Sequence, residues 1–244
     1  MNINSNGLLR SFLFQVTTPI RFAKGSTHVD LGAGDIPRNP FQAEFLIATD
    51  FQEPENFKKS HQRVQCDLTL DMPFADNSID SFSAFDVLEH IPRWERREGE
   101  IKFPFIHLMN EIYRCLKPNG LFIAVTPAFP HPASFQDPTH VNVITIKTAE
   151  YFCGKEASAR TLGYGFNGYF EEIQNAWLRG PGPFENASWF SEEATSFLIN
   201  RRIGLEKSQI LRFIVRVGRV LRRRNSSHII WVFRKLPPPK TEAV

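Results

Sequence analysis

His28-Val29-Asp30-Leu31-Gly32-Ala33-Gly34-Asp35 is the stretch that decides the fold. A short apolar run that breaks into a glycine turn predicts a buried strand, and a glycine turn placed there lets a ligand approach the backbone. A helix following that turn would offer free N–H groups at its N-terminus. In the dinucleotide fingerprint G-x-G-x-x-G the third glycine packs the helix beside a pyrophosphate, but here Pro37 stands at that position. A nicotinamide or flavin dinucleotide is therefore disfavoured.

The pattern repeats outward from this stretch. Phe45-Leu46-Ile47-Ala48-Thr49-Asp50 is again apolar and again ends in an acid, Arg63 to Leu68 reads as a weaker strand with Asp67 near its end, and Ile79 to Val87 reads as a fourth strand after the turn Ala75-Asp76-Asn77-Ser78. From 103 to 116 the residues Phe105, Ile106, Met109, Ile112, Tyr113 and Leu116 fall at helical spacing, and Lys117-Pro118-Asn119-Gly120 is a stop signal before a fifth strand, Leu121 to Val125. Helix, turn and strand in that order make a right-handed crossover, so the architecture is doubly wound α/β with a mostly parallel sheet.

Further on, Pro127 to Asn142 reads as a loop over a site, Thr145 to Cys153 as a helix, Tyr169 to Trp177 as a strand, roughly Phe190 to Arg224 as helical, and His228 to Lys235 as a closing strand. At 244 residues with 42% hydrophobic content, the chain has material for one sizeable core. The expected organisation is a single domain over 1–236, with a cofactor-binding core at 27–126, an acceptor loop and helix at 127–168, a basic helical insertion at 190–224 and a disordered tail at 237–244.

Three strand-end acids specify the ligand. Asp50, 16 positions beyond Gly34, can accept both hydroxyls of a ribose, and Asp67 can accept from an exocyclic amine. Asp30, Asp50 and Asp67 around one crevice would repel phosphate but suit a ligand bearing an ammonium and a sulfonium. S-adenosylmethionine meets these demands.

The chain resembles the class I S-adenosylmethionine-dependent methyltransferases. The likeness runs through Val29-Asp30-Leu31-Gly32-Ala33-Gly34, Thr49-Asp50, Cys66-Asp67-Leu68, Met72-Pro73-Phe74-Ala75-Asp76-Asn77-Ser78-Ile79-Asp80, Val87-Leu88-Glu89-His90-Ile91-Pro92 and Glu111 to Leu121, six motifs in order. It implies a seven-stranded sheet with an antiparallel last strand. It also implies that Asp30 with Gly32, Ala33 and Gly34 holds the methionine end, Asp50 the ribose, Asp67 with Leu68 the adenine, and that Phe85 and Asp86 face the methyl group. The same fold serves aminopropyl transferases and inactive relatives, so a non-catalytic nucleoside-binding module is the alternative.

Methyl transfer is an in-line displacement, and a base is needed only where the nucleophile starts protonated. His90, His131, Asp137 and His140 follow the fourth and fifth strands on the ligand side of such a sheet, and His140, Asp137 and His90 are the candidate catalytic residues. Asp137-Pro138-Thr139-His140-Val141 resembles the substrate loop of sugar- and secondary-metabolite-modifying members of the family. The other reading of that loop is a proline turn with His140 capping the next helix. Glu89 and His90 with His131, Asp137 and His140 could also ligate a divalent metal, but the spacing matches no metal motif and no metal is assigned. The expected acceptor is a small polar molecule, a saccharide or lipid-linked saccharide. Aromatic residues such as Phe129, Phe135, Tyr151, Phe152, Tyr164, Phe166, Tyr169 and Phe170 could stack on it or fill the core.

Charge is unevenly placed. Residues 201–235 hold 11 Lys and Arg against Glu206, so this segment carries +10 of a net +3 and the remainder about −7. Within it, Ile210, Phe213, Ile214, Val217, Val220 and Leu221 lie opposite Arg212, Arg216, Arg219, Arg222 and Arg223, the split of a helix that packs on a sheet or lies on an anionic surface. Peripheral contact of residues 210–224 with the inner membrane surface follows as an expectation. Nucleic acid is disfavoured as an acceptor: DNA amino-methylating enzymes carry an Asn- or Asp-Pro-Pro-aromatic motif where Asp86-Val87-Leu88 stands, which leaves an RNA methyltransferase as a further alternative. Three cysteines without C-x-x-C spacing and no signal-like or membrane-spanning apolar run point to the cytoplasm.

Overall fold

The computed structural model describes residues 22–52, 62–178 and 227–239. The basic segment expected at 190–224, including 210–224, and residues 240–244 of the tail lie outside the described residues.

Strands β1 (Thr27–Leu31), β2 (Phe45–Asp50), β3 (Gln62–Gln65) and β4 (Ile79–Phe85) are followed by a hairpin of β5 (Glu95–Arg97) and β6 (Glu100–Lys102). Helix α1 (Pro104–Cys115) leads into β7 (Leu116–Pro127), the short helix α2 (Ser158–Thr161) into β8 (Phe170–Trp177), and β9 (His228–Lys235) ends the described fold. Seven strands form one sheet in the order β3-β2-β1-β4-β7-β9-β8. All neighbours pair in parallel except β9, which lies antiparallel between β7 and β8. The expected doubly wound, mostly parallel sheet is therefore present. Its switch point, where the strand order reverses, falls between β1 and β4.

One face of the sheet buries Val29, Leu31, Phe82, Ala84, Phe122 and Trp231 against α1. That helix forms because Pro104 supplies a preset first turn and Phe105, Leu108, Met109, Ile112 and Cys115 recur at three- and four-residue spacing. Each fully buried aliphatic side chain of this stripe contributes about 1.5–3 kcal/mol. The opposite face buries Phe41, Phe85, Leu121, Ile123, Val125 and Ile230. On β1 and β4 that second face carries polar side chains instead, because His28 pairs with Ser81 and Asp30 with Ser83 in register.

Four local expectations change. No helix follows the glycine turn: residues 35–44 run as turns and coil, since Pro37 and Pro40 remove donors and disfavour helix before them. The third strand stops at Gln65 rather than Leu68, and Asp67 opens a turn instead. Thr145–Cys153 yields only a 3-10 turn at Thr148–Tyr151. The β5–β6 hairpin was not expected, because Glu95-Arg96-Arg97-Glu98-Gly99-Glu100 is charged throughout; its turn is made by Glu98 and Gly99 at φ 53° and 85°.

Candidate active site

In a parallel sheet the carboxyl ends of β1, β2, β4 and β7 lie along one edge, and the candidate residues gather there. The first group surrounds the loop after β1. Gly32 and Gly34 both have positive φ, 59° and 54°. At Gly32 a side chain is excluded by packing, since a Cβ would stand 2.5 Å from Val87 Cγ2, whereas a Cβ on Gly34 would meet nothing within 4 Å. Gly34 is thus the point at which the loop is open to an incoming group.

Asp50, partly exposed at the end of β2, braces this loop. Its Oδ2 accepts from Gly34 N–H at 2.9 Å and its Oδ1 from Gln52 N–H at 3.2 Å. Ala33 is buried and its N–H goes to Thr49 O at 2.8 Å, while the Arg63 guanidinium holds the Gly34 carbonyl. The loop is fixed from below and from one side, with Asp50 lone pairs left for hydroxyl donors.

Asp30 is fully buried. It accepts from the Ser83 hydroxyl and, at 2.8 Å, from Arg38 N–H. Burial pushes its pKa up to about 7, with Ser83, Arg38 N–H and the nearby Arg38 charge pulling the other way. Phe85 is buried, with the Arg38 guanidinium 4.8 Å above its ring. Asp67 is partly exposed and accepts from Thr69 N–H and Oγ1, at 2.9 and 2.8 Å, beside buried Leu68.

The second group lies across the switch point. Asp86, just past β4, is held at φ 55°, a left-handed conformation that Asp adopts more readily than most residues. Its Oδ1 lies 2.9 Å from Nε2 of His228, the first residue of β9. Glu89 is buried and accepts from Thr126 Oγ1 at 2.9 Å. Burial, then the neighbouring Asp86 charge, raises the Glu89 pKa to about 8. His140 Nε2 stands 4.0 Å from Glu89 Oε1, and the His90 and His140 rings meet edge to face at 4.8 Å. Burial and the His140 charge lower the His90 pKa. Asp137 is exposed and accepts from Thr139, which keeps its carboxyl below the usual range.

The structure therefore brings His90, His140 and the Asp137 turn together and adds Glu89. His131 is not part of the group, its Nδ1 capping a 3-10 turn through Ala133 N–H at 3.1 Å. His228, which opens the closing strand, faces Asp86, and a contact across 142 residues leaves no local trace in the sequence. The aromatic run divides: Phe152, Phe166 and Phe170 are buried, while Phe129, Phe135, Tyr151 and Tyr164 are exposed. A separate cavity of about 620 Å³ lies between the hairpin and α1, with Arg97, Lys102, His107, Glu95 and Asp71 among its walls.

Residues 41–124 match the family model described as a methyltransferase domain. Over these residues the chain is similar to that family. That match supports an enzyme that uses S-adenosylmethionine as its cofactor. The match spans β2 through most of β7 and so includes Asp50, Asp67, Asp86 and the Glu89-His90 pair. Among solved structures, a SAM-dependent methyltransferase from Archaeoglobus fulgidus is similar over 95% of this chain and 95% of its own, at 14% identity and a TM-score of 0.50. Phosphoethanolamine N-methyltransferase 2 from Haemonchus contortus, in complex with S-adenosyl-L-methionine, is similar over 96% of this chain and 53% of its own, at 15% identity and a TM-score of 0.45. These likenesses concern the fold. No curated protein matches the chain.

The residues present fit the cofactor. Open space above Gly34 admits its backbone-hugging end, and a partly exposed carboxylate at the tip of β2 suits a diol. Among the described residues, no helix is long and apolar enough to cross a membrane.

Proposed function

We propose that the methyltransferase acts on a small polar acceptor, methylating an oxygen of a saccharide or lipid-linked saccharide. The observation that carries this reading is the split of the strand-end edge. Loop and carboxylate sit on β1 and β2, and an acid–imidazole group sits beyond β4 and β7, with the switch point between them. Ligands of open α/β sheets bind across such a division.

In this reading Asp50 accepts the ribose hydroxyls, Gly32 to Gly34 take the methionine end, and Asp67 with Leu68 the adenine. Asp30 acts through the loop, because its oxygens are already committed to Ser83 and Arg38. Phe85 likewise acts as the floor under Arg38. When bound, S-adenosylmethionine supplies a methyl group activated by a sulfonium. The chain's own work is then to align the acceptor and exclude water. His90, His140 and Asp137 receive the acceptor, and the Glu89 backbone carbonyl ties down the loop that carries His140. The support for a saccharide is the exposure of Phe129 and Phe135, 6.2 Å apart and edge to face, on the segment that also carries His140. Sugar faces stack on such rings.

The test pairs calorimetry with S-adenosylhomocysteine and detection of that product from S-adenosylmethionine over a panel of hydroxylated acceptors. Micromolar binding with turnover on sugars is expected. Binding without turnover on any acceptor would favour the non-catalytic module.

A further inference from the structure

We infer that Glu89, His90 and His140 form a binding site for a divalent transition-metal ion at the acceptor end of the crevice. Resting on the acceptor reading above, the inference assigns that group the task of holding a hydroxyl oxygen through a metal.

One donor atom from each of these three residues lies within 4.8 Å of the others. Two imidazoles and one carboxylate are a set that zinc, iron, cobalt and manganese accept, with positions left open for an exogenous oxygen. Donors around a bound zinc stand about 3.3 Å apart, so side-chain rotations of about 1 Å close the set.

The surrounding hydrogen bonds prepare each donor. Thr126 Oγ1 occupies Glu89 Oε2 at 2.9 Å, which leaves Oε1 without a hydrogen-bond partner among the described residues although Glu89 is almost fully buried. A bare carboxylate oxygen in such a place is costly unless something positive meets it. At His90 the neighbouring Thr139 hydroxyl gives its proton to Asp137 at 2.6 Å. Its oxygen, 3.1 Å from His90 Nδ1, can then only accept, so Nδ1 carries the proton and Nε2 presents a lone pair. This carboxylate–hydroxyl–imidazole chain is the arrangement that orients metal-bound histidines. At His140, Nδ1 has no hydrogen-bond partner among the described residues, and Nε2 lies 4.0 Å from Glu89 Oε1. The loop bearing His140 is tied to the Glu89 backbone, since Val141 and Asn142 both give their N–H to Glu89 O at 2.9 Å. All three donors thus ride on one braced unit.

Cobalt is the probe, because its visible absorption reports imidazole and carboxylate coordination without any turnover. Full-length protein stripped with chelator is titrated with Co²⁺, and S-adenosylhomocysteine affinity is measured on the same samples by calorimetry. One equivalent should bind with an intense band in the 500–650 nm region, displaced by Zn²⁺ and not by Mg²⁺. His90→Ala, His140→Ala and Glu89→Gln should each weaken cobalt more than about 10-fold while S-adenosylhomocysteine affinity stays within about 2-fold. No stoichiometric band in the wild type, or equal cobalt affinity in all three variants, overturns the site. Failure of S-adenosylhomocysteine to bind, with the cobalt band intact, overturns the cofactor assignment instead.

Discussion

The imidazole of His28 is joined to the carboxylate of Asp30 through a single hydroxyl, that of Ser83. Ser83 gives its proton to Asp30 and accepts from His28 Nε2, and His28 Nδ1 then accepts from Ser81 at 2.8 Å. One tautomer satisfies the whole chain. It links the loop end of β1 to β4 through buried polar contacts where the rest of that sheet face is apolar.

This pair carries opposed pH dependences. Burial lowers His28 from 6.5 to about 3, so the stability tied to its neutral form is complete above pH 6.5 and is lost as pH falls toward about 3. Burial raises Asp30 from 3.8 to about 7, so its contribution is complete below pH 3.8 and is lost as pH rises through about 7. Between roughly pH 4 and 6.5 the two slopes oppose each other. Asp30→Asn removes one of them, and unfolding free energy should then rise with pH relative to the wild type by up to about 1.4 kcal/mol per pH unit. Urea unfolding at pH 4.5, 5.5 and 6.5 reads this difference; parallel curves for the two proteins would refute the relay.

The two loop glycines should separate in experiment. Gly32→Ala combines a left-handed backbone with a clash against Val87 and is expected to destabilise the fold by about 2–3 kcal/mol, partly recovered in a Gly32→Ala/Val87→Ala double variant. Gly34→Ala meets open space, so its cost should be about 1 kcal/mol of backbone strain, with a larger loss in S-adenosylhomocysteine affinity. Thermal unfolding and calorimetry on the same variants decide it.

Asp50→Ala should reduce S-adenosylhomocysteine affinity by roughly 30- to 150-fold, equivalent to about 2–3 kcal/mol, because charge-assisted bonds to the diol and the brace on Gly34 are lost together. Asp67→Ala should be milder. Calorimetry giving unchanged affinity for Asp50→Ala would remove the residue from the site.

On an acceptor that turns over, His140→Ala should lower kcat by about 100-fold or more and leave S-adenosylhomocysteine binding intact. A parallel loss of binding would instead place His140 on the cofactor side.

Strand positions were legible because each is short, apolar and closed by a turn or an acid; His28 to Leu31 and His228 to Lys235 needed nothing more. Asp50 was legible for the same reason, as a strand-end acid, whereas Asp67 lies in the turn beyond β3. Glu89 entered the sequence reading only as a possible metal ligand, since its role depends on Thr126 and His140, which the chain brings back only through β7 and the loop beyond it. The buried partners of His28 also left a signal. Ser81 and Ser83 alternate around Phe82, the period of a strand with one polar face, and pairing β4 beside β1 turns that face toward His28 and Asp30. The absent helix after Gly34 was foreshadowed by Pro37 and Pro40, which the glycine turn outweighed.

The insertion of β9 between β7 and β8 bears on how the protein comes into being at the ribosome. Among the described residues β8 hydrogen-bonds to β9 and to no other strand of the sheet, so within them it has no ladder to join until the later strand has emerged. The same late strand delivers His228 to Asp86. A nascent chain could therefore display its glycine loop well before it displays a finished acceptor side, and methyl transfer would begin only once translation had passed the final strand.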